Sequence, residues 1–550
     1  MAKRLTVIDF FCGAGGFSEG FHMAGFDVIM GIDNWKPAIE THNANHGLND
    51  SVKDVLDFED IEEINKLPNS DVIIGSPPCV LFSLSNRGGN ANKDLGVRLI
   101  KSFYRVVAVK KHQKNSTLKA WLMENVPNSR NYVEPHYTFS DLKLSEWAKS
   151  QGLNPGDVAI NVKNNGDILS SSDYGSGQTR KRFVCGEITK TGEFPYPEKI
   201  SSAHITLGSL FSNFPRPIGA SYSPELMLQD PNYPNQTLAV SELRDHFYDT
   251  GVYEIEWQKA RDAKKRHPYM GVMSFPENTQ KPSRTIMATR SASTREAILY
   301  KSEFNRFGDG EYRTPTIREI ATIMGFPLTY QFYGNESTKW RQIGNAVCVQ
   351  LSFALASRVG ELLHNEQMSP KVIAKDFSGI TFLDNSAKKS FDRPPKRSPN
   401  ASFREYPIKS GNMTVDLTNK SDNGWSVIAY VGTGRGYISI KIDKKHCEVA
   451  RNILLRERPG FVETIENDSV IKLYNNSDFD KKNIIYGYTS DDDSHPYNIV
   501  RRISKYIISE VGSDDYEVTT NSSPLEEIKK TLPISQIMSI YTMGTLVVNS

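Results

Sequence analysis

Short apolar runs that stop at glycine, proline or an acid alternate, in the first part of the chain, with stretches whose apolar positions recur every three or four residues. RLTVIDFF (4–11) is β-prone and ends at GAGG, after which Phe17, Phe21 and Ala24 follow a helical spacing. DVIMGID (27–33) is a second strand closed by an acid; a helix-like stretch runs from Pro37 to about His46, with the next turn near Asp54. DVIIGSPP (71–78) and AWLMENVP (120–127) repeat the plan, each a buried strand opening into a proline-stiffened loop. Strands alternating with helices predict a parallel, doubly wound α/β sheet. Ligands of such sheets sit at the carboxyl ends of the strands, where Gly13 to Gly16, Asp33, Asp54, Cys79 and Glu124 fall.

From about 190 to 310 periodicity is poor and proline, tyrosine and asparagine are frequent, which predicts loops and short strands. Order returns at RTPTIREIATIMGFP (313–327), a helix start with Thr316 as N-cap and Glu319 three residues on. IGNAVCVQLSFALASRVGELL (343–363) is a glycine turn leading into an apolar helix. The polar, proline-containing run 384–403 reads as linker. Beyond it WSVIAYV, YISIKI, SVIKLY and NIIYGY look like strands and YNIVRRISKYIISEV (497–511) like an amphipathic helix, an α+β pattern of its own.

With 550 residues the chain is long for one core, so several domains are expected. No uninterrupted apolar run is long enough to cross a bilayer, and the N-terminal run reads as a buried strand rather than a signal peptide. The five cysteines (Cys12, Cys79, Cys185, Cys348, Cys447) show no CxxC pairing, which argues against a disulfide framework or zinc cluster and for a reducing cytoplasm. Net charge is +2, so any nucleic-acid contact must come from local clusters such as 179–183, 259–267 and 393–397.

The GAGG turn lets a ligand approach the backbone, and Asp33 stands where an acid accepts hydrogen bonds from ribose hydroxyls. Asp54 is placed either to read an adenine amino group or to cap a turn. Cys79, after two prolines on a stiff loop, is a thiol presented rather than packed away, as a nucleophile requires. Glu124, among Leu122, Met123 and Val126, should have a raised pKa and can serve as an acid. Arg180 and Arg182 alternate in QTRKRF, so both can point to one face of a strand.

Taken in order, these segments resemble the DNA (cytosine-5) methyltransferase family. DFFCGAGGFSEGF resembles its S-adenosylmethionine loop, GSPPCVLFS its catalytic loop, MENVP its Glu-Asn-Val motif, and QTRKRF its Gln-x-Arg-x-Arg motif; RTPTIREIATIMGFP and IGNAVCV resemble its two closing motifs. The resemblance covers about 4–365. It implies a Rossmann-like S-adenosylmethionine-dependent methyltransferase domain (1–190 and 311–365) and an irregular target-recognition region (191–310); the chain's own pattern adds a linker (366–403) and a separate α+β C-terminal domain (404–550) without an assigned role. It makes Cys79 the nucleophile, puts Glu124 on the Watson–Crick edge of cytosine, and has Arg180 and Arg182 steady the base. Phe10, Gly13, Gly15, Gly16, Asp33, Asp54, Pro78, Asn345 and Val347 would bind the cofactor S-adenosyl-L-methionine, with Asn125 fixing the catalytic loop and no metal ion involved. The implied partners are double-stranded DNA and a cognate restriction endonuclease, with no membrane and a monomeric chain. Phosphate contacts and base reading are expected from 259–267 and 283–296. Two departures stand out: Gly177 precedes Gln178 where the family has proline, and Ser76 and Val80 flank the Pro-Pro-Cys.

Rival readings are an RNA cytosine methyltransferase and a catalytically silent binding module. For the C-terminal region they are a fused nuclease, an added DNA-contacting domain or a structural extension; Asp468 and Lys472, with Glu463 and Glu466 before them, loosely resemble a nuclease metal site.

Overall fold

The computed structural model describes residues 4–82, 92–200, 203–217, 222–265, 271–364, 371–372, 375–388, 404–421, 424–432, 438–474, 496–520 and 524–547. They form two compact units. The second comprises 395–550 with Tyr253–Ile255 and Phe307–Asp309, and the first the remainder.

The first unit starts as the apolar pattern predicts: β1 (Thr6–Phe10), α1 (Gly16–Met23), β2 (Asp27–Ile32), α2 (Lys36–His46), α3 (Ile61–Lys66), β3 (Val72–Gly75), α4 (Lys93–His112) and β4 (Ala120–Asn125). Pro37 opens α2 and Gly47, at φ 66°, closes it, each where its backbone preference is cheapest. A side pair, β5 (His136–Thr138) and β6 (Val158–Asn161), with α5 (Ser145–Ser150) between them, precedes the hairpin β7 (Gly166–Ser170) and β8 (Lys181–Ile188). The sheet order is β2-β1-β3-β4-β8-β7. The first four strands are parallel, but β8 runs antiparallel to β4 and β7 to β8, so the sheet is mixed rather than wholly parallel. The cause is local: after β7 the chain turns at Ser171–Gly175, with Gly175 at φ 89°, and returns beside its own strand instead of crossing over a helix.

Side-chain alternation splits the core into two layers. Ile8, Phe10, Ile73, Trp121 and Met123 face one way, packing with α4; Val7, Val72, Ile74, Leu122 and Val184 face the other, packing with α1 and the late helix α10 (Val349–His364). The chain leaves β1 toward β2 on one side and β3 on the other, so a crevice opens between the carboxyl ends of β1 and β3.

The irregular region adds α6 (Leu207–Leu210), β9 (Met227–Gln229), β10 (Thr237–Ala239), α7 (Glu254–Lys265), β11 (Tyr300–Lys301) and β12 (Tyr312–Arg313). Buried ion pairs hold it: Lys264 with Glu277, Arg313 with Glu303 and Glu319, and Lys339 with Asp245. Then follow α8 (Ile317–Ile323), α9 (Glu336–Asn345) and α10 (Val349–His364). Thr316 and Glu319 form the expected reciprocal cap of α8. The α9–α10 stretch is apolar enough by composition to span a bilayer, yet most of it lies in the core. Residues 375–388, read from composition as linker, pack on this unit: Phe382 meets Phe377 and Tyr333, and Asn385 donates to Asp245 at 2.9 Å.

The second unit is an antiparallel sheet with helices. β13 (Arg404–Glu405), β14 (Lys409–Ser410), β15 (Met413–Ser421), β16 (Gly424–Val431) and β17 (Ile438–Lys441) precede α11 (Lys444–Glu457), α12 (Pro459–Asn467), α13 (Ser469–Tyr474) and α14 (Pro496–Val511). β18 (Glu517–Thr519), β19 (Thr531–Pro533) and the buried α15 (Ile534–Val547) complete it. SVIKLY, expected as a strand, is the helix α13, started by the Asp468 carboxylate accepting from Ile471 N at 3.1 Å. NIIYGY lies outside the described residues.

Candidate active site

The turn after β1 is tight and unusual. Phe11, Gly13 and Gly15 all adopt left-handed backbone, at φ 55°, 54° and 89°. Gly13 N donates to Asp33 Oδ2 at 3.0 Å and Trp35 N to Asp33 Oδ1 at 2.8 Å, so the acid at the end of β2 clamps the turn. Burial raises the Asp33 pKa against those backbone donors. Asp54 caps the turn at Leu56 N (2.9 Å) and also lines the cavity described below.

Beyond β3, Ser76 N donates to Phe10 O and Ser76 Oγ to Phe11 O, both at 3.0 Å, tying the two strand-end turns together. The Ser76 departure from the family pattern thus adds a hydrogen bond. Asn125, fully buried at the end of β4, donates to Pro77 O at 3.0 Å and holds the loop from the other side. Cys79 is half-buried at the start of a short turn, Cys79–Leu81. The Val80 side chain and residues 83–91 lie outside the described residues.

One cavity of about 430 Å³ joins these turns. Its walls include Gly13, Asp33, Asp54, Pro78, Cys79, Glu124, Arg180, Arg182, Asn345 and Val347, so ten residues named from sequence meet in one space. Three others stand behind the wall. Phe10 packs in the core against Phe58 and Phe103, with ring centroids at 5.5 and 5.7 Å. Gly15 and Gly16 act through close packing: a Cβ on Gly15 would fall 2.4 Å from Tyr330 Oη, and one on Gly16 2.2 Å from Val347 O. Gly15→Ala is therefore expected to destabilise the fold by about 2 kcal/mol or more, from left-handed strain plus overpacking, and to weaken donor binding. A thermal melt with a donor titration checks both; an unchanged melting temperature would show that the turn tolerates a side chain.

Glu124 is buried and forms an ion pair with Arg182, Oε1 to Nε 2.9 Å. Burial raises its pKa, opposed by Arg182 and then Arg180. Arg180 is fully buried, donating to Ile286 O, Gly344 O and Ala346 O at 3.0, 3.0 and 3.1 Å. Burial and Arg182 pull its pKa down to about 10, while Glu124 and Cys79 act the other way, so the thiol and guanidinium lie within electrostatic reach of one another. Gly177, where the family has proline, sits under Leu210, whose Cδ2 would be 2.7 Å from an added Cβ.

Sequence reading missed several wall residues. Trp35 follows the β2 acid, and Arg341 Cζ stands 4.7 Å over its ring. Arg341 and Gln342 immediately precede the IGNAV segment, an adjacency that was the available signal; Ala288 and Thr289 lie in the 283–296 stretch. Several cations of the basic stretches pair within the protein. Lys264 is buried on Glu277 at 2.9 Å, with its pKa lowered to about 8 by burial, and Arg261 lies over Trp257. Residues 266–267 and the cluster 393–397 lie outside the described residues. Arg284 is committed to Glu277 and to Ala297 O, and Arg290 to Glu336 and Thr314 Oγ1. Lys264, Arg284 and Arg290 thus have partners within the fold. In the second unit the acids likened to a nuclease site are engaged too: Asp468 with Arg502 and Tyr506, and Glu466 with Arg451.

The family model for C-5 cytosine-specific DNA methylase matches residues 5–361, leaving the second unit outside it. The type II methyltransferase M.MthTI of Methanothermobacter thermautotrophicus is 28% identical over 375 residues, covering 65% of this chain and 97% of the relative. M.HgiDI of Herpetosiphon aurantiacus is 27% identical, covering 68% of this chain and all of the relative. M1.HphI of Haemophilus parahaemolyticus is 27% identical, at 66% and 88% coverage. The chain belongs to the C-5 cytosine-specific DNA methylase family and is a DNA (cytosine-5-)-methyltransferase.

Proposed function

We propose that this chain methylates carbon 5 of a flipped-out cytosine in a specific duplex sequence, through a covalent bond between Cys79 Sγ and carbon 6, as the modification partner of a restriction endonuclease. It would act as a monomer in the cytoplasm, where its five free cysteines stay reduced. The observation that supports this most is the single cavity that carries a half-buried thiol, a buried carboxyl, two guanidiniums and the clamped glycine turn.

The cavity suits S-adenosylmethionine at its β1–β2 end. A Cβ on Gly13 would meet nothing nearer than Phe11 O at 3.9 Å, so the space over that turn is open, and the Asp33 and Asp54 carboxylates suit hydroxyl and amino groups. When bound, S-adenosylmethionine supplies an electrophilic methyl group to carbon 5. The rest falls to the protein. Cys79 thiolate bonds to carbon 6, and the C5–C6 π electrons are pushed toward carbon 5. Glu124, protonated, donates to N3 and makes carbon 6 electrophilic enough to accept the thiolate. Arg180 and Arg182 oppose the negative charge that gathers on the ring. After transfer a base, such as water, removes the carbon 5 proton; that electron pair restores the C5–C6 double bond and expels the thiolate. Flipping the base costs a few kcal/mol, recovered in contacts to the duplex.

Labelled methyl groups are expected in duplex DNA and not in tRNA when both are offered side by side. A duplex with 5-fluorocytosine at the target is expected to leave a denaturation-resistant complex, because fluorine cannot be removed as the proton is. Incorporation into tRNA alone, or no trapped complex with an active preparation, would overturn the reading.

A further inference from the structure

Behind the glycine turn, α1 and α2 enclose a carboxylate and three imidazoles that methyl transfer does not use. Glu19 is fully buried one turn into α1, and its Oε2 accepts from Lys375 Nζ at 2.8 Å. His22 Nδ1 lies 3.8 Å and His46 Nε2 3.9 Å from that same oxygen, beyond hydrogen-bond distance. One ligand-type atom from each of Glu19, His22 and His46 falls within 4.8 Å of the others. The His46 side chain is 1% exposed, yet neither ring nitrogen has a hydrogen-bond partner; nor do His22 Nδ1 and Glu19 Oε1. Buried polar atoms are nearly always partnered, so unpartnered atoms on each of three clustered residues call for a ligand.

The surrounding groups fit that idea. His42 is the wall of the cluster rather than a member: its Nε2 lies 2.9 Å from Ser18 Oγ, which donates to Asp9 at 2.7 Å. Two imidazoles and one carboxylate are a familiar donor set for zinc-type ions, which hold such ligands at roughly 2.0–2.2 Å. In tetrahedral geometry those bonds place the donors roughly 3.3 Å apart, so the carboxylate–imidazole distances of 3.8 and 3.9 Å, and the wider group within 4.8 Å, contract when an ion binds. Lys375 occupies the carboxylate that the ion would need, and two cations cannot share that buried oxygen without strong repulsion.

We infer that Glu19, His22 and His46 are the ligands of a divalent transition metal ion of the zinc type, and that Lys375 is the cation competing with it for Glu19. Loading the site expels the Lys375 ammonium, and with it the start of the 375–388 segment packed on this unit. The inference stands apart from the methyl-transfer reading and is tested without measuring activity.

Cobalt(II), a visible probe of zinc sites, is titrated into the chelator-treated full-length protein. One ion per chain is expected, with d–d bands of a nitrogen- and oxygen-ligated centre. His22→Ala, at a partly exposed position, should weaken binding at least 100-fold. Lys375→Gln should tighten it at least tenfold. In the unaltered protein, limited trypsin digestion should cut after Lys375 only when cobalt is bound, a readout that survives even if Lys375→Gln misfolds. Bands of full strength in His22→Ala, absence of bands in the unaltered protein at millimolar cobalt, or cleavage after Lys375 regardless of cobalt would each overturn the proposal.

Discussion

Cys79→Ser is expected to leave a protein that binds S-adenosylmethionine as before and transfers no methyl group, with a loss of roughly 10⁴-fold or more in single turnover, as when other covalent nucleophiles are removed. Sulfur is intrinsically very nucleophilic as a thiolate, whereas a serine hydroxyl neither ionises at neutral pH nor matches that nucleophilicity. The exchange of sulfur for oxygen leaves the loop intact. Ser76 ties it to the β1 turn, Asn125 holds Pro77, and neither contact involves the thiol. The donor end of the cavity, with Gly13 and Asp33, is built from different strands. Single-turnover transfer of a labelled methyl group and a calorimetric donor titration measure the two halves separately. Transfer near the original rate would remove Cys79 from the mechanism; loss of donor binding in parallel would make it a packing residue.

Much of this site is legible in the chain because its parts are local. β1, β3 and β4 are short apolar runs buried on both faces, β2 is a part-buried edge strand, and their punctuation (GAGG, Asp33, SPPC, ENVP) is the site itself. Pairing is not local. That β8 returns antiparallel to β4 depends on the hairpin with β7, and no property of KRFVCGEI specifies direction. Trp35 and Arg341 meet across more than three hundred residues, so only the folded chain brings them together. SVIKLY misleads because a short apolar run fits either period, and the deciding feature is a cap on the preceding residue, Asp468. Charged residues mislead in the same way. Lys264 and Lys375 look like solvated cations in sequence and are buried partners of Glu277 and Glu19 in the fold, and the part-buried Arg284 joins Lys264 on Glu277.

Glu124→Gln is expected to slow methyl transfer by roughly 10²–10⁴-fold, the usual worth of a general acid, while duplex affinity changes only a few-fold. The side chains have the same shape, and glutamine keeps a donor to offer N3; what is lost is a proton that can be shared as carbon 6 is attacked. Burial raises the pKa of Glu124, and Arg182 and Arg180 offset only part of that rise, so the carboxyl keeps its proton to higher pH than a surface acid. The sign of the pH effect follows. Protonated Glu124 is the active form, so its advantage is fully present below its raised pKa and is lost as pH rises through it. Glutamine does not titrate. The ratio of original to Glu124→Gln rates, in which the thiol's own ionisation cancels, should therefore be largest at low pH and fall toward high pH. Because Glu124 also pairs with Arg182 at 2.9 Å, a structural role predicts something different: a lowered melting temperature, equal losses in binding and rate, and a ratio flat in pH. Single-turnover rates across pH, beside duplex binding and a thermal melt of the same two proteins, distinguish an acid that acts on the base from a carboxylate that only holds an arginine in place.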